Sequence, residues 1–343
     1  MRAPAGPYTP AVDSLEAHTL SIVIPVYQGE KTLPGLIEEI ASYTTPFVTP
    51  DNHRAVVTEV LLVFDHGPDD SARVIRDLCS SHDFVRPVWL SRNFGQHAAT
   101  LAGMASSGGD WIASLDEDGQ YDPSQIGLLL DAALREHADV VYGAPRNAAP
   151  HGFLRNLASV GAKRVTDLLV GARDARHYHS FRLVLGEIGR SVAAYSGSGV
   201  YLDVALGWVA NRVTTAPVDL REEGRASGYS LPRLFSHFWR LVLTSGTRSL
   251  RFVTSIGLVI AISGAVFAIV IALRQLITGV VAEGWTSLMV VILIVSGFVI
   301  LFLGVIAEYL GVAVNMAMGR PPYLITSDPA NGPLGRSRPD GDD

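Results

Sequence analysis

The segment WIASLDEDGQYDP, residues 111 to 123, joins an apolar run to a crowd of oxygen-bearing side chains. WIASL has the length and composition of a short buried strand, and Asp116, Glu117, Asp118, Gln120 and Asp122 follow at its carboxyl end. Carboxylates packed this closely repel one another unless a cation gathers them. Asp116 and Asp118, separated by one residue, can turn to the same side of the strand end. With the Gln120 amide they offer only hard oxygen ligands, the set taken by magnesium or manganese. Asp122, Pro123 and Ser124 instead have the pattern of a helix start with Asp122 as cap, and Glu117 is expected to point away from the cation.

Outward from this segment the chain alternates short apolar runs (SIVIPVY, EVLLVFD, VRPVWLS, DVVYGA) with stretches of helical spacing (TLPGLIEEIASY, DDSARVIRDLCS, PSQIGLLLDAALREH). That order predicts an α/β domain over residues 20–230 with a mostly parallel, Rossmann-like sheet. Ligands of such sheets bind beyond the carboxyl ends of the strands. Polar residues stand at four of those ends: Tyr27 to Glu30, Asp65 to Asp70, Arg92 to His97, and Asp116 to Gln120. The expectation is a single crevice where they meet.

Residues 1–19 lack the apolar core of a signal peptide and read as a flexible extension. A net charge of -6, with no basic stripe in the N-terminal region, argues against a nucleic-acid partner. The single cysteine, Cys79, excludes an intramolecular disulfide and fits a reducing compartment.

Two uncharged stretches, 252–273 and 287–307, are each long enough to cross about 30 Å of hydrocarbon, and predict a two-helix transmembrane hairpin over 252–310. Before it, residues 231–251 carry Arg233, Arg240, Arg248 and Arg251 among Leu, Phe and Trp with no acid, the pattern of an amphipathic juxtamembrane helix on an anionic bilayer. These arginines and Arg320 place both ends of the hairpin, and the catalytic part, on the cytoplasmic side of the inner membrane. Residues 311–343 are read as a cytoplasmic tail, disordered from Ser327.

SIVIPVYQGEKTL, EVLLVFDHGPDDS, LSRNFGQHAATLAGMASSGGDWIASLDEDGQYDP and VVYGAPR, in this order, resemble family 2 of the glycosyltransferases, which have the GT-A fold. SGYSLPRL, the two hydrophobic stretches and AEYLGVAVNMAMGRPPYLI narrow the resemblance to the membrane-anchored polyprenyl-phosphate sugar transferases, from Leu20 to Ile325. The resemblance implies inverting transfer of one sugar from a UDP- or GDP-sugar to a polyprenyl phosphate such as undecaprenyl or decaprenyl phosphate, with Mg2+ or Mn2+. It also implies a homo-oligomer.

Residue by residue, it assigns Pro25, Tyr27 and Glu30 to the first nucleotide-contacting loop and Asp65 to the base. Asp116, Asp118 and Gln120 match the metal and diphosphate motif D-x-D-x-Q. Arg146, Arg155 and Ser159 fall to the acceptor phosphate, which guanidinium forks suit. Arg221 and Arg225 fall to the donor diphosphate. Asp118, Arg146 and Arg155 are the catalytic candidates.

The chain departs from the family's pattern in four places, one of them the loop GRASGYS, one residue longer between Gly224 and Ser227 than the usual G-x-S. Gln28 and Gly29 replace Asn-Glu after the tyrosine. Phe64, His66 and Gly67 alter V-D-D-G-S, with Phe64 read as a core side chain. HYHSFR has Arg176 and His177 where an aspartate precedes the Phe181-Arg182 pair. Asp203 is either a helix N-cap or a support of the site. His177 and His179 lack the further ligands of a zinc site, and His97 reads as a loop hydrogen bonder. Two other readings share the donor site: a family 2 enzyme with a glycan or glycolipid acceptor, and a non-catalytic nucleotide-sugar-binding membrane scaffold. A nucleotidyltransferase would need a glycine-rich basic loop after SIVIPVY, which is missing.

Overall fold

The computed structural model describes residues 17–146, 178–197, 201–221 and 257–332, apart from positions within 261–283. The apolar run around Ile22 forms β1 (His18–Val26), central in a nine-stranded sheet. It pairs in parallel with β3 (Arg54–Phe64) on one side and β5 (Trp111–Ser114) on the other. Past β3 lie β4 (Val85–Leu90), parallel, and β9 (Ile325–Thr326), antiparallel. Past β5 lie β7 (Arg182–Leu185), antiparallel to both neighbours, then β6 (Val140–Pro145) and β8 (Val213–Val218), which pair in parallel. The short β2 (Phe47–Val48) runs antiparallel on β3. Only β2, β7 and β9 oppose the common direction, so the sheet is mostly parallel, as expected.

Unbroken apolar runs arise because both faces of the sheet are covered. Alternate residues of β1 serve opposite layers: Ile22 and Ile24 face one hydrophobic cluster, Val23 the other. The first layer holds α1 (Leu33–Ala41), α2 (Ser71–Ser81) and α4 (Ile126–Glu136), through Ile37, Ile75 and Leu129. The second holds α3 (Gln96–Ser106), α5 (Gly186–Tyr195) and α6 (Leu202–Val209), through Leu101, Val192 and Leu206.

The second hydrophobic stretch lies in α7 (Trp285–Ala317), a 33-residue helix. Its segment Ile294–Ala317 is long and apolar enough to cross a membrane, and none of it is buried. The helix runs ten residues past the expected end at 307 because nothing stops it until Gly319, whose φ of +65° lets Arg320 N–H turn back to the Asn315 carbonyl at 3.2 Å. Among the described residues this is the one helix that passes that test. The described positions between 257 and 277 are helical, with Leu258, Ile262, Phe267 and Leu273 exposed. The rest of the first expected span, and the amphipathic segment 231–251, lie outside the described residues.

After α7 the chain returns to the sheet. Ile325 and Thr326 pair with Leu90 and Trp89, the Ser91 N–H donates to the Leu324 carbonyl at 2.9 Å, and the Tyr323 hydroxyl to the Ala193 carbonyl at 3.3 Å. Asp328 then accepts a bidentate pair from Arg76, both bonds 2.8 Å. Residues 327–332, held in this way, depart from the expectation of a chain disordered from Ser327. Composition shows the Pro, Gly and charge of that tail, but not a partner 252 residues away. Residues 333–343 lie outside the described part.

The Arg76–Asp328 pair, with its half-exposed guanidinium, is worth about 1 kcal/mol. Asp328→Ala is therefore expected to lower Tm by about 2–4 °C in thermal unfolding of the solubilised protein. Arg76 holds the Asp328 carboxyl below its ordinary value. A depressed folded value means that the contribution is complete above the unfolded value, about pH 4, and is lost as the pH falls through the folded one. A Tm difference between wild type and variant that persisted unchanged well below that pH would contradict the pairing.

Candidate active site

The four strand ends singled out in the sequence do meet. They enclose a cavity of about 440 Å³, with Pro25, Val26 and Tyr27 from the end of β1 and Asp65 from the end of β3. Asn93, Gly95 and Gln96 come from the turn into α3, and Asp116, Glu117 and Asp118 from the end of β5.

Asp116 is partly buried and held on both oxygens: Gln96 donates to Oδ1 at 2.6 Å, and the Ser180 hydroxyl donates to Oδ2. Burial first, and repulsion from Asp118 with it, raise the Asp116 carboxyl above its ordinary value, against the pull of Ser180, Arg182 and Gln96. Asp118 is exposed at the mouth and its Oδ1 accepts the Gln120 N–H at 3.1 Å. Among the described residues no group of three or more His, Cys, Asp or Glu side chains converges as a complete metal set. The protein thus offers two carboxylates that repel each other on one wall of the cavity, the number magnesium takes when water and substrate phosphates complete its shell.

Ser180 is itself anchored, its carbonyl accepting from the Ser114 hydroxyl at 2.6 Å and from Arg182 Nε at 3.3 Å. Arg182 is buried and ion-paired with the equally buried Asp203, which also accepts the Tyr142 hydroxyl at 3.0 Å. Asp203 lies in the first turn of α6, whose N-cap is Tyr201, so of its two readings the structure favours support of the site. A continuous set of contacts therefore runs from Asp203 through Arg182 and Ser180 to Asp116. Phe181 is buried against Tyr121, ring centroids 4.9 Å apart.

Asp65 is buried, and its oxygens accept the Phe94 and Gly95 N–H groups at 2.7 and 2.8 Å. Burial raises its carboxyl above the ordinary value, partly offset by those two bonds. It ties the end of β3 to the turn before α3 while still lining the cavity. Phe64 packs edge-on against Trp89 at 5.6 Å, a core side chain as read. Gly67 is required beside it: a Cβ there would stand 1.4 Å from the Tyr27 carbonyl oxygen.

Several assignments fall elsewhere. The Glu30 carboxylate accepts the Asp70 N–H at 3.3 Å at the start of α2. Arg221 is held by Glu39 at 2.8 Å and Asp122 at 3.0 Å, away from the cavity lining, and these carboxylates stabilise its cation. Asp122 also caps Ser124 N–H at 2.8 Å, as its sequence pattern indicated. Arg146 is exposed at the end of β6, its N–H donating to the Val218 carbonyl at 2.9 Å. Arg155, Ser159 and Arg225 lie outside the described residues, as do Arg176 and His177. Sequence reasoning missed Gln96, Ser180 and the cross-cavity reach of Glu117. Gln96 and Glu117 stood within flagged strand ends, and Glu117 was expected to turn from the cation; nothing in the sequence marked Ser180 or the loop that Glu117 reaches.

Removing one side of a buried ion pair leaves an uncompensated charge, a cost of about 3–5 kcal/mol. Asp203→Ala should therefore unfold at a clearly lower temperature than Ser180→Ala, which removes one hydroxyl bond of about 1–2 kcal/mol. Equal melting temperatures in parallel scans would show that Arg182 does not depend on Asp203.

Residues 21–187 match the model of glycosyl transferase family 2. The undecaprenyl-phosphate 4-deoxy-4-formamido-L-arabinose transferase of Salmonella choleraesuis is 30% identical over 328 residues, covering 91% of this chain and 94% of the relative. The enzyme of the same name from Aeromonas hydrophila is 28% identical over 318 residues, with 92% and 95% covered. An uncharacterised glycosyltransferase of Synechocystis is 27% identical over 314 residues, with 90% and 94% covered. Alignments of this length include the hydrophobic helices as well as the sheet, and together with the carboxylate pair at the end of β5 they place the chain in glycosyl transferase family 2, among the polyprenyl-phosphate sugar transferases.

Proposed function

We propose that this chain transfers one sugar, with inversion, from a UDP- or GDP-sugar to a polyprenyl phosphate of the undecaprenyl kind at the cytoplasmic face of the membrane. The observation that carries the reading is the Asp116–Asp118 pair on one wall of a cavity whose other walls are the Tyr27 loop and Asp65. Asp116 and Asp118, with Gln120 assigned to the same motif and its backbone N–H on Asp118, are the hard oxygen set that would hold Mg2+ or Mn2+. Such an ion, when bound, supplies charge neutralisation at a departing diphosphate.

The remaining work falls to the chain itself. Gln96 and Ser180 fix the orientation of Asp116. The Tyr27 ring, 44% exposed at the rim, offers an aromatic face to a nucleobase, with Pro25 and Asp65 behind it. Arg146, together with Arg155 and Ser159, is assigned to the acceptor phosphate, and Arg225 to the donor diphosphate. Arg221 joins it only by exchanging Glu39 and Asp122 for phosphate oxygens. A lipid phosphate has a second pKa near ~6, so at neutral pH its oxygen attacks without a protein base. Catalysis then consists of alignment behind the anomeric carbon and stabilisation of developing charge.

The placement of α7 supports a lipid acceptor. α5 starts beside β5, its Gly186 N–H on the Asp110 carbonyl at 2.6 Å, and near its other end the Ala193 carbonyl accepts the hydroxyl of Tyr323, the neighbour of Leu324, which is bonded to Ser91 just past β4. There a Cβ on Gly197 would meet Met316 of α7 at 3.3 Å. The apolar helix thus ends beside the segment that follows α5, near the carboxyl end of β4. With the span at 252–273 it would form the membrane hairpin.

The test is transfer of labelled sugar from UDP- and GDP-sugars into organic-extractable lipid, by purified protein with undecaprenyl phosphate and Mn2+ or Mg2+. EDTA should abolish transfer, and Asp118→Asn should lower it by about 10²-fold or more. Arg146→Ala should raise the KM for lipid phosphate about tenfold. Metal-independent transfer would remove the role given to the carboxylates, and full activity of Arg146→Ala would favour the glycan-acceptor reading.

A further inference from the structure

Glu117 stands between the two carboxylates assigned to the metal, yet its own carboxylate is turned across the cavity. Its Oε2 accepts the Tyr27 N–H at 2.8 Å and its Oε1 the Gln28 N–H at 2.9 Å. These two N–H groups follow Val26, the last residue of β1 in register with β3, so the sheet gives them no acceptor. The loop continues in the same manner: the Gly29 N–H goes to the Ser71 hydroxyl at 2.9 Å and the Glu30 N–H to Asp69 at 3.1 Å. Four successive backbone donors are thus held by side chains, and Glu117 alone reaches from the wall that carries Asp116 and Asp118.

Gly29 makes room for it. A Cβ at that position would stand 2.9 Å from Glu117 Oε2 and 2.8 Å from Leu33 Cγ, closer than real contacts allow. The carboxylate and the glycine therefore fit each other across 88 residues of sequence (117 minus 29).

We propose that Glu117 is a positioning residue that clasps the loop after β1 to the carboxylate pair after β5, so that the base-side and diphosphate-side walls of the cavity are held as one unit for the donor. The inference rests on the reading of this cavity as the nucleotide-sugar site. Tyr27 lines that cavity on one side of the clasp and Asp116 and Asp118 on the other. A charged acceptor of two backbone donors is a strong tie, worth about two charge-assisted hydrogen bonds. Without it the loop must be ordered by the donor itself, which weakens binding without altering the chemical step.

The experiment is calorimetric titration of the full-length protein in detergent with UDP and with GDP, each with Mn2+, for wild type, Glu117→Ala and Glu117→Gln. Sugar-transfer kinetics and hydrogen exchange of the Tyr27 and Gln28 amides accompany it. Glu117→Ala should weaken nucleotide binding and raise the donor KM by about 10- to 100-fold. Its kcat at saturating donor should stay within about threefold. Glu117→Gln, which keeps one acceptor oxygen, should fall between, and both variants should exchange the two amides faster. Wild-type binding with unchanged affinity in both variants would overturn this inference alone. So would loss of kcat at an unchanged donor KM, since that places Glu117 in the reaction. Failure of the wild type to bind either nucleotide would overturn the functional reading and this inference with it.

Discussion

β1 is hydrogen-bonded along both edges and buried on both faces, and the remainder of the molecule follows from that position. A strand so placed has no solvent edge. Its Ile22 and Ile24 side commits one helix layer and its Val23 side the other. The parallel partners on either side must then end together, and where they end the backbone N–H groups have no further strand to meet. The cavity is the consequence: a set of donors and side chains at the carboxyl ends of β1, β3 and β5, fixed by strands that cannot slip without exposing a core face.

The acids in that cavity are oriented largely by neutral donors. Asp65 is held by two backbone N–H groups, Glu117 by two more, and Asp116 by an amide and a hydroxyl. Neutral donors fix direction without cancelling charge. The nearby buried cation, Arg182, is committed to Asp203. Burial first, and repulsion from neighbouring acids after it, raise the carboxyls of Asp116 and Glu117 above their ordinary values. On the proposed reading, a divalent ion arriving with a diphosphate would offset the repulsion between the Asp116 and Asp118 carboxylates. Had lysine or arginine neutralised these acids instead, the same geometry would bind a cation poorly.

The strand added after α7 links two parts that composition separates. A long exposed helix alone would leave the sheet domain free to swivel on its linker. Pairing of β9 with β4, and of Asp328 with Arg76, ties the far side of α7 to the strand whose following turn supplies Asn93, Gly95 and Gln96 to the cavity. The short strand also covers the otherwise open edge of β4, the usual liability of a sheet margin.

Much of the fold was legible in the chain because α/β alternation, apolar runs of strand length and polar residues at strand ends are local signals. Asp116 and Asp118 could be named for the same reason, being two residues apart at the end of one strand. The helix cap at Asp122 and the core role of Phe64 were local too. The reversed strand β7 was not legible, since the four residues of RLVL carry no sign of direction. Neither were the Ser180 hold on Asp116, the Arg182–Asp203 pair, the reach of Glu117 to the Tyr27 loop, or the anchoring of Asp328. Each joins residues far apart in sequence through one hydrogen bond or ion pair, and no periodicity records it. Sequence alone determined which strand ends would meet at the cavity, through residue type and spacing along single elements. Which side chains hold the carboxylates in place was decided only by the packing of the sheet, because that geometry exists only when distant strands lie side by side.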